Sequence, residues 1–214
     1  MQLCSPMLPV GAYAYSQGLE FAVSSDWIKD ENTTSMWVQG ILVNALANLD
    51  VPVLSRLHKA WSINDNKNVL YWNDYLFASR DSRELQAEEQ QMAQALSRLL
   101  GDLGISEAVE WSKNSRACFL TLFSLGTAHW KIPVNDASWG YLWMWAENQV
   151  LAAIKLVPLG QTSGQKILSS AIEIIPALVS KGLSLKDEDI GYTAPGQGIA
   201  SALHETQYTR LFRS

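Results

Sequence analysis

Cysteine, histidine and clustered basic residues are all scarce in this chain of 214 residues. Cys4 and Cys118 share neither a C-x-x-C nor a zinc-type spacing, so neither a redox pair nor a structural zinc site is legible, and two reduced thiols are expected. His58, His129 and His204 lie far apart and form no His-x-x-x-His pair, so no metal ligand set can be read either. There is no run of Lys or Arg, and 16 basic against 21 acidic residues leave a net charge of −5. Nucleic acid and anionic membranes are therefore not expected as partners, because both need clustered cations. The most apolar window, Val150 to Val157, is too short to span a bilayer and carries Lys155. Pro6 and Pro9 fall where the apolar part of a signal peptide would run, so a soluble cytoplasmic protein is expected.

Period-two alternation and hairpin turns are missing, as are internal repeats and linkers. The expected class is all-α, a single-domain compact bundle over residues 1–214 with roughly eight to ten helices. Val38, Leu42, Leu46 and Leu49 recur at helical spacing and predict a helix from about Thr34 to Leu49. Shorter helices are expected over Val51–Trp61 and Asn66–Ala78, with SINDNK as the loop between them. Asp81 and Glu84 suggest a capping-box start for the next helix, which Gly101 and Gly104 end. Further helices are predicted over Ala108–Trp130, Ala137–Val157, Gly164–Lys181 with a kink at Pro176, and Pro195–Leu211. Nine tryptophans are many for this length, and with charge at only 17% they read as core or as contacts for another protein.

Two motifs imitate catalytic ones. AYSQG, Ala14 to Gly18, misses the G-x-S-x-G nucleophile elbow by one residue, but nothing before Ser16 can supply the strand that such an elbow terminates. Ser16 therefore reads as a helix-start residue. GQTSGQKI, Gly160 to Ile167, misses the phosphate-binding loop, because its glycines are too close, Gln165 separates Gly164 from Lys166, and no Ser or Thr follows the lysine. Neither catalytic residues nor a cofactor site is expected.

Polar residues inside the apolar helix carry more information. Asn148 and Lys155 lie two turns apart on one face of WMWAENQVLAAIKLVPLGQ, where a lysine needs a partner or an exit to water. The closing ASALHETQYTRLFRS holds Tyr208, Leu211, Phe212 and two arginines, a composition suited to an interface rather than to a solvated tail.

Three stretches, SPMLPVGAYAYSQGLE, ENQVLAAIKLVPLGQTSGQ and HETQYTRLFRS, together with SRELQAEEQQM, resemble the urease accessory protein UreF family in the right order along the whole chain. The resemblance implies an all-α, dimeric, non-enzymatic protein of urease maturation. Such a protein joins UreD (also called UreH), recruits the GTPase UreG, and docks on apo-urease to gate nickel delivery. It also implies that Tyr13 and Arg210 support partner recruitment and that Glu20 and Lys155 belong to the GTPase-facing surface. On the same resemblance residues 195–214, with Tyr208, are expected to be the partner-docking helix or tail and to order when UreD binds. Ala93, Lys131, Met144 and Ala146 depart from the family pattern, Ala93 and Lys131 standing where glycine is expected. The alternative is a metallochaperone that binds nickel itself, through His204 or Cys4.

Overall fold

Capping and close approach, more than helix propensity, decide where this chain turns. A computed structural model describes residues 2–214, which contain ten α-helices and no strand. The helices are α1 (Leu19–Ser24), α2 (Glu31–Ile41), α3 (Asp50–Ser62), α4 (Asn66–Ala78), α5 (Arg83–Asp102), α6 (Ser106–Trp111), α7 (Phe119–His129), α8 (Val134–Leu156), α9 (Gln161–Ser184) and α10 (Pro195–His204).

α2 starts three residues earlier than its apolar pattern suggests. The Asp30 carboxylate accepts from the Thr33 amide at 2.8 Å, while Thr33 Oγ1 accepts from the Asp30 amide at 3.1 Å, which makes a complete capping box. It then passes into a π-helical turn over Leu42–Leu46. The start expected at Asp81 shifts by one residue, because Ser82 is the cap and its hydroxyl accepts from the Leu85 amide at 3.1 Å. Glu84 is thereby left to turn toward the C-terminal segment.

The helix expected over Ala108–Trp130 is broken into α6 and α7. A side chain distant in sequence causes the break. Asn73, fully buried on α4, donates to the Arg116 carbonyl at 3.0 Å and accepts from the Cys118 amide at 3.0 Å and from Thr121 Oγ1 at 2.9 Å. Glu89 Oε2 then accepts from the Phe119 amide at 2.7 Å, a carboxylate at the positive end of α7.

α8 runs through the middle of the bundle with α9 packed back along it, and α3 touches α4, α7, α8 and α9. α9 comes so close to α3 that a Cβ on Gly182 would meet Val51 Cγ1 at 2.6 Å and the Ala47 carbonyl oxygen at 2.7 Å. By length and composition α9, rather than the window around Val150, is the one helix among the described residues apolar enough to cross a membrane. It continues as one helix through Pro176, its buried stripe against α2, α3 and α8.

α10 ends at His204 instead of reaching Leu211. Beyond it the amides of Leu211 and Phe212 bond to Glu20, which removes them from any helical ladder. Past this point Phe212 and Ser214 are buried against the body of the chain, while Tyr208, Thr209, Arg210 and Leu211 stay exposed.

Lys131 has φ +54°, in the left-handed region that glycine occupies without cost. Lys131→Gly should therefore gain up to about 1 kcal/mol in urea unfolding. In the same measurement Asn73→Ala should lose about 3 kcal/mol, since it orphans the Cys118 amide and the Thr121 hydroxyl in the core.

Candidate functional site

The site is assembled where the C-terminal segment closes on α1, α5 and α8. Gly18, at φ +84°, turns the chain into α1, and a Cβ there would lie 2.7 Å from the Ser201 amide nitrogen, so α10 rests directly on this turn. Glu20 follows in the first turn of α1. It is 7% exposed and collects three donors: the Leu211 amide at 2.6 Å, the Phe212 amide at 2.9 Å, and Nε2 of His204 at 3.1 Å. His204 is fully buried, and its Nδ1 lies 2.6 Å from Glu84 Oε2. Glu84 Oε1 in turn accepts from Arg210 Nη1 at 2.6 Å. With a carboxylate oxygen at each ring nitrogen, His204 bridges Glu20 of α1 and Glu84 of α5.

Phe212 seals the arrangement. Its ring is buried in a small apolar cluster with Leu19, Ala22, Ile28, Ala152 and Ala153, and Lys155 Nζ stands 5.6 Å from the ring centroid, a cation–π contact. Past it, the Ser214 carbonyl oxygen accepts from the amides of Ser16 at 2.6 Å and Gln17 at 3.1 Å and from the Ser16 hydroxyl. Ser16 is fully buried, and its hydroxyl also accepts from the Glu20 amide at 3.3 Å, so its bonds serve the helix start and the C-terminal segment.

Behind this layer lies a buried polar centre. Arg80 meets both oxygens of Asp50, at 2.7 and 3.2 Å, and also bonds to Glu89 Oε1. Tyr141 donates to Asp50 Oδ1 at 2.8 Å. Burial works against the Arg80 charge, but Asp50 and Glu89 outweigh it and hold its pKa well above the ordinary value. Glu88, next to Glu89, accepts from Gln17 Nε2 at 2.7 Å and from Ser214 Oγ at 3.2 Å. Burial, with the neighbouring Glu89 charge, pushes Glu88 up from 4.5 to about 8, and it is uncharged at neutral pH.

The family model for UreF matches residues 28–172. The whole chain aligns with urease accessory protein UreF of Alkalilimnicola ehrlichii, at 50% identity over 213 residues and 93% of that protein. Identity is 43% to the protein of the same name from Hahella chejuensis and 44% to that from Teredinibacter turnerae, each aligned over all of this chain and 96% of its own length. The chain belongs to the urease accessory protein UreF family.

Within this UreF-family chain the five expected contact residues separate into two groups. Tyr13, Tyr208 and Arg210 are exposed, Tyr208 completely so. Lys155 is exposed with its ammonium over Phe212. Glu20, by contrast, is buried beneath the C-terminal segment. Glu84, Glu88, His204 and Phe212 were not singled out as parts of one site. Glu84 and Glu88 carried only the signal of charge in an amphipathic helix, and Phe212 only the interface-like composition of the closing segment.

For the nickel-binding alternative, His204 has both nitrogens engaged by carboxylates, and burial pushes the Cys4 thiol up, away from the thiolate that binds metal. Among the described residues no three His, Cys, Asp or Glu side chains are grouped to hold a metal ion.

Glu88 sets a pH dependence. The folded chain keeps a proton that the unfolded chain releases above about 4.5, so this carboxyl's contribution to stability is full below that pH and is lost as pH rises to about 8. Thermal melts from pH 5 to 8 should fall for the wild type, and Glu88→Gln, which cannot ionise, should flatten that slope.

Proposed function

We propose that this chain is a non-catalytic subunit of the urease-maturation machinery. As a cytoplasmic homodimer it bridges UreD and the GTPase UreG on apo-urease and gates GTP-dependent nickel delivery. Family membership supports the setting. The observation that carries the docking role is the closed C-terminal segment. Glu20, His204 and Glu84 hold it from below, so Leu203, Tyr208, Arg210 and Leu211 face outward from a fixed backbone.

Aromatic and arginine side chains on a rigid base are what an interface hot spot requires, because little side-chain and backbone freedom remains to be lost on binding. Tyr208 has no burial within its own chain, and Tyr13 is 68% exposed, so neither is explained by packing. Arg210 both faces solvent and ties to Glu84, which couples the surface to the buried His204.

The test is size-exclusion chromatography with light scattering on the chain mixed with UreD and UreG. Tyr208→Ala and Tyr13→Ala should weaken complex formation at least tenfold while thermal stability stays within about 0.5 kcal/mol of the wild type. Arg210→Ala should weaken the complex and also lower stability by about 1 kcal/mol through the lost Glu84 bond. Assembly of all three variants at wild-type affinity would remove the docking role from this surface.

A further inference from the structure

A groove of about 270 Å³ opens between the start of α4 and α6, and none of its residues belongs to the C-terminal segment or to the helices that hold it. Its floor is Trp61, near the end of α3 and only 7% exposed. The Trp61 N–H is turned inward and donates to the Thr121 carbonyl at 3.1 Å, so this indole gives the groove ring carbon and no donor. Trp111 of α6 meets it edge to face, with ring centroids 5.8 Å apart and planes at 69°. Glu107 and Glu110, both exposed, stand one turn apart on the same face of α6 as part of the groove's wall. Leu70 of α4 borders the groove and is 48% exposed.

The fold makes no ion pair with either of these acids. The backbone amide of Glu107, with the Ser106 hydroxyl 3.0 Å away, holds the Glu107 carboxyl below the ordinary carboxylate range, so it is charged at neutral pH. Among the described residues neither Glu107 nor Glu110 has a Lys, Arg or His within salt-bridge distance. Two indoles beside two unpaired carboxylates suit an organic cation, because ring faces attract positive charge and the acids neutralise it. An anion would meet both carboxylates. A hard metal ion would need six or more oxygens, and among the described residues no three His, Cys, Asp or Glu side chains are grouped to supply them. A neutral sugar could lie on an indole but would leave both acids unused.

Size decides between a free cation and one carried by a protein. Sites for free small molecules run from about 300 to about 1,000 Å³ and enclose most of their ligand. This groove is smaller and open to solvent, which suits a single side chain whose main chain stays outside, against Leu70. Arginine fits better than lysine, since a planar guanidinium stacks on an indole, is weakly hydrated and can meet two carboxylates at once.

We propose that the groove between α4 and α6 is a docking site for an arginine side chain of a partner protein, packed on Trp61 and Trp111 and held by Glu107 and Glu110. The proposal goes beyond the docking role of the C-terminal segment and shares no residue with it.

NMR spectra of the indole N–H groups in the full-length chain test this, with the capped tripeptides Ala-Arg-Ala and Ala-citrulline-Ala as probes. The Trp61 and Trp111 signals should move with the arginine peptide and saturate with a dissociation constant of about 1 mM, as expected for one anchored side chain. Citrulline keeps the shape without the charge and should bind at least tenfold more weakly. Glu107→Gln and Glu110→Gln should each weaken the arginine peptide about threefold and together at least tenfold, and added salt should act in the same direction. Both residues are exposed, so circular dichroism should be unchanged. Equal binding of the two peptides, or wild-type affinity in the double variant, would overturn the proposal. Agmatine, the same guanidinium and stem without a main chain, should bind no more tightly than the peptide; binding tenfold tighter would assign the groove to a free cation and overturn the protein partner. None of these readouts involves UreD or UreG, so their outcome is independent of whether that complex forms.

Discussion

One guanidinium holds the bundle's polar centre together. Arg80 follows the end of α4, and its partners Asp50 and Glu89 come from α3 and α5; through Tyr141 and the Phe119 amide the same acids reach α8 and α7. Five helices thus share one charge. Two carboxylates already exceed what Arg80 can neutralise, and a third ionised acid in the same enclosure would have no counterion. Glu88 is that third acid, and it resolves the conflict by keeping its proton. Because the proton-bearing carboxyl is also the group that meets Gln17 and Ser214, the electrostatics of the core extend outward to the C-terminal segment.

The sequence pattern gave a good account of everything governed by local periodicity. The helix over Asn66–Ala78 lies where its pattern puts it, and α8 and α9 each extend only a few residues beyond their expected limits. Motifs in order along the chain were enough to place it in its family. What could not be read were contacts between distant residues. The break between α6 and α7 depends on Asn73, more than forty residues away, and no window around Ser112 contains that information. Glu20 was assigned to a GTPase-facing surface by the family resemblance alone, since nothing near it in sequence marks it as buried. Only the fold reveals that two backbone amides from the far end of the chain come to rest on it. The aromatic wealth of the sequence was ambiguous in the same way: Trp61, Trp72 and Trp145 are core, while Trp130 borders an open groove.

The two decoy motifs share a structural explanation. Ser16 and Gly18 resemble an elbow because both a nucleophile turn and this turn need a glycine and a small polar residue at a tight helix entry. Here the turn serves to let α10 approach α1 and to hold the Ser214 carbonyl. The glycines and polar residues around Gly160 mark the turn between α8 and α9, where a chain must reverse within four residues.

The bond from Phe212 to Glu20 joins residues 192 positions apart. A contact of such sequence separation closes late in folding, because all the residues between its partners must be made before both exist. Until Phe212 has emerged from the ribosome, Glu20 has no amides to bind and the cluster around Leu19 stands open. The outward-facing stretch around Tyr208 therefore takes its fixed shape only in chains translated and folded past Phe212.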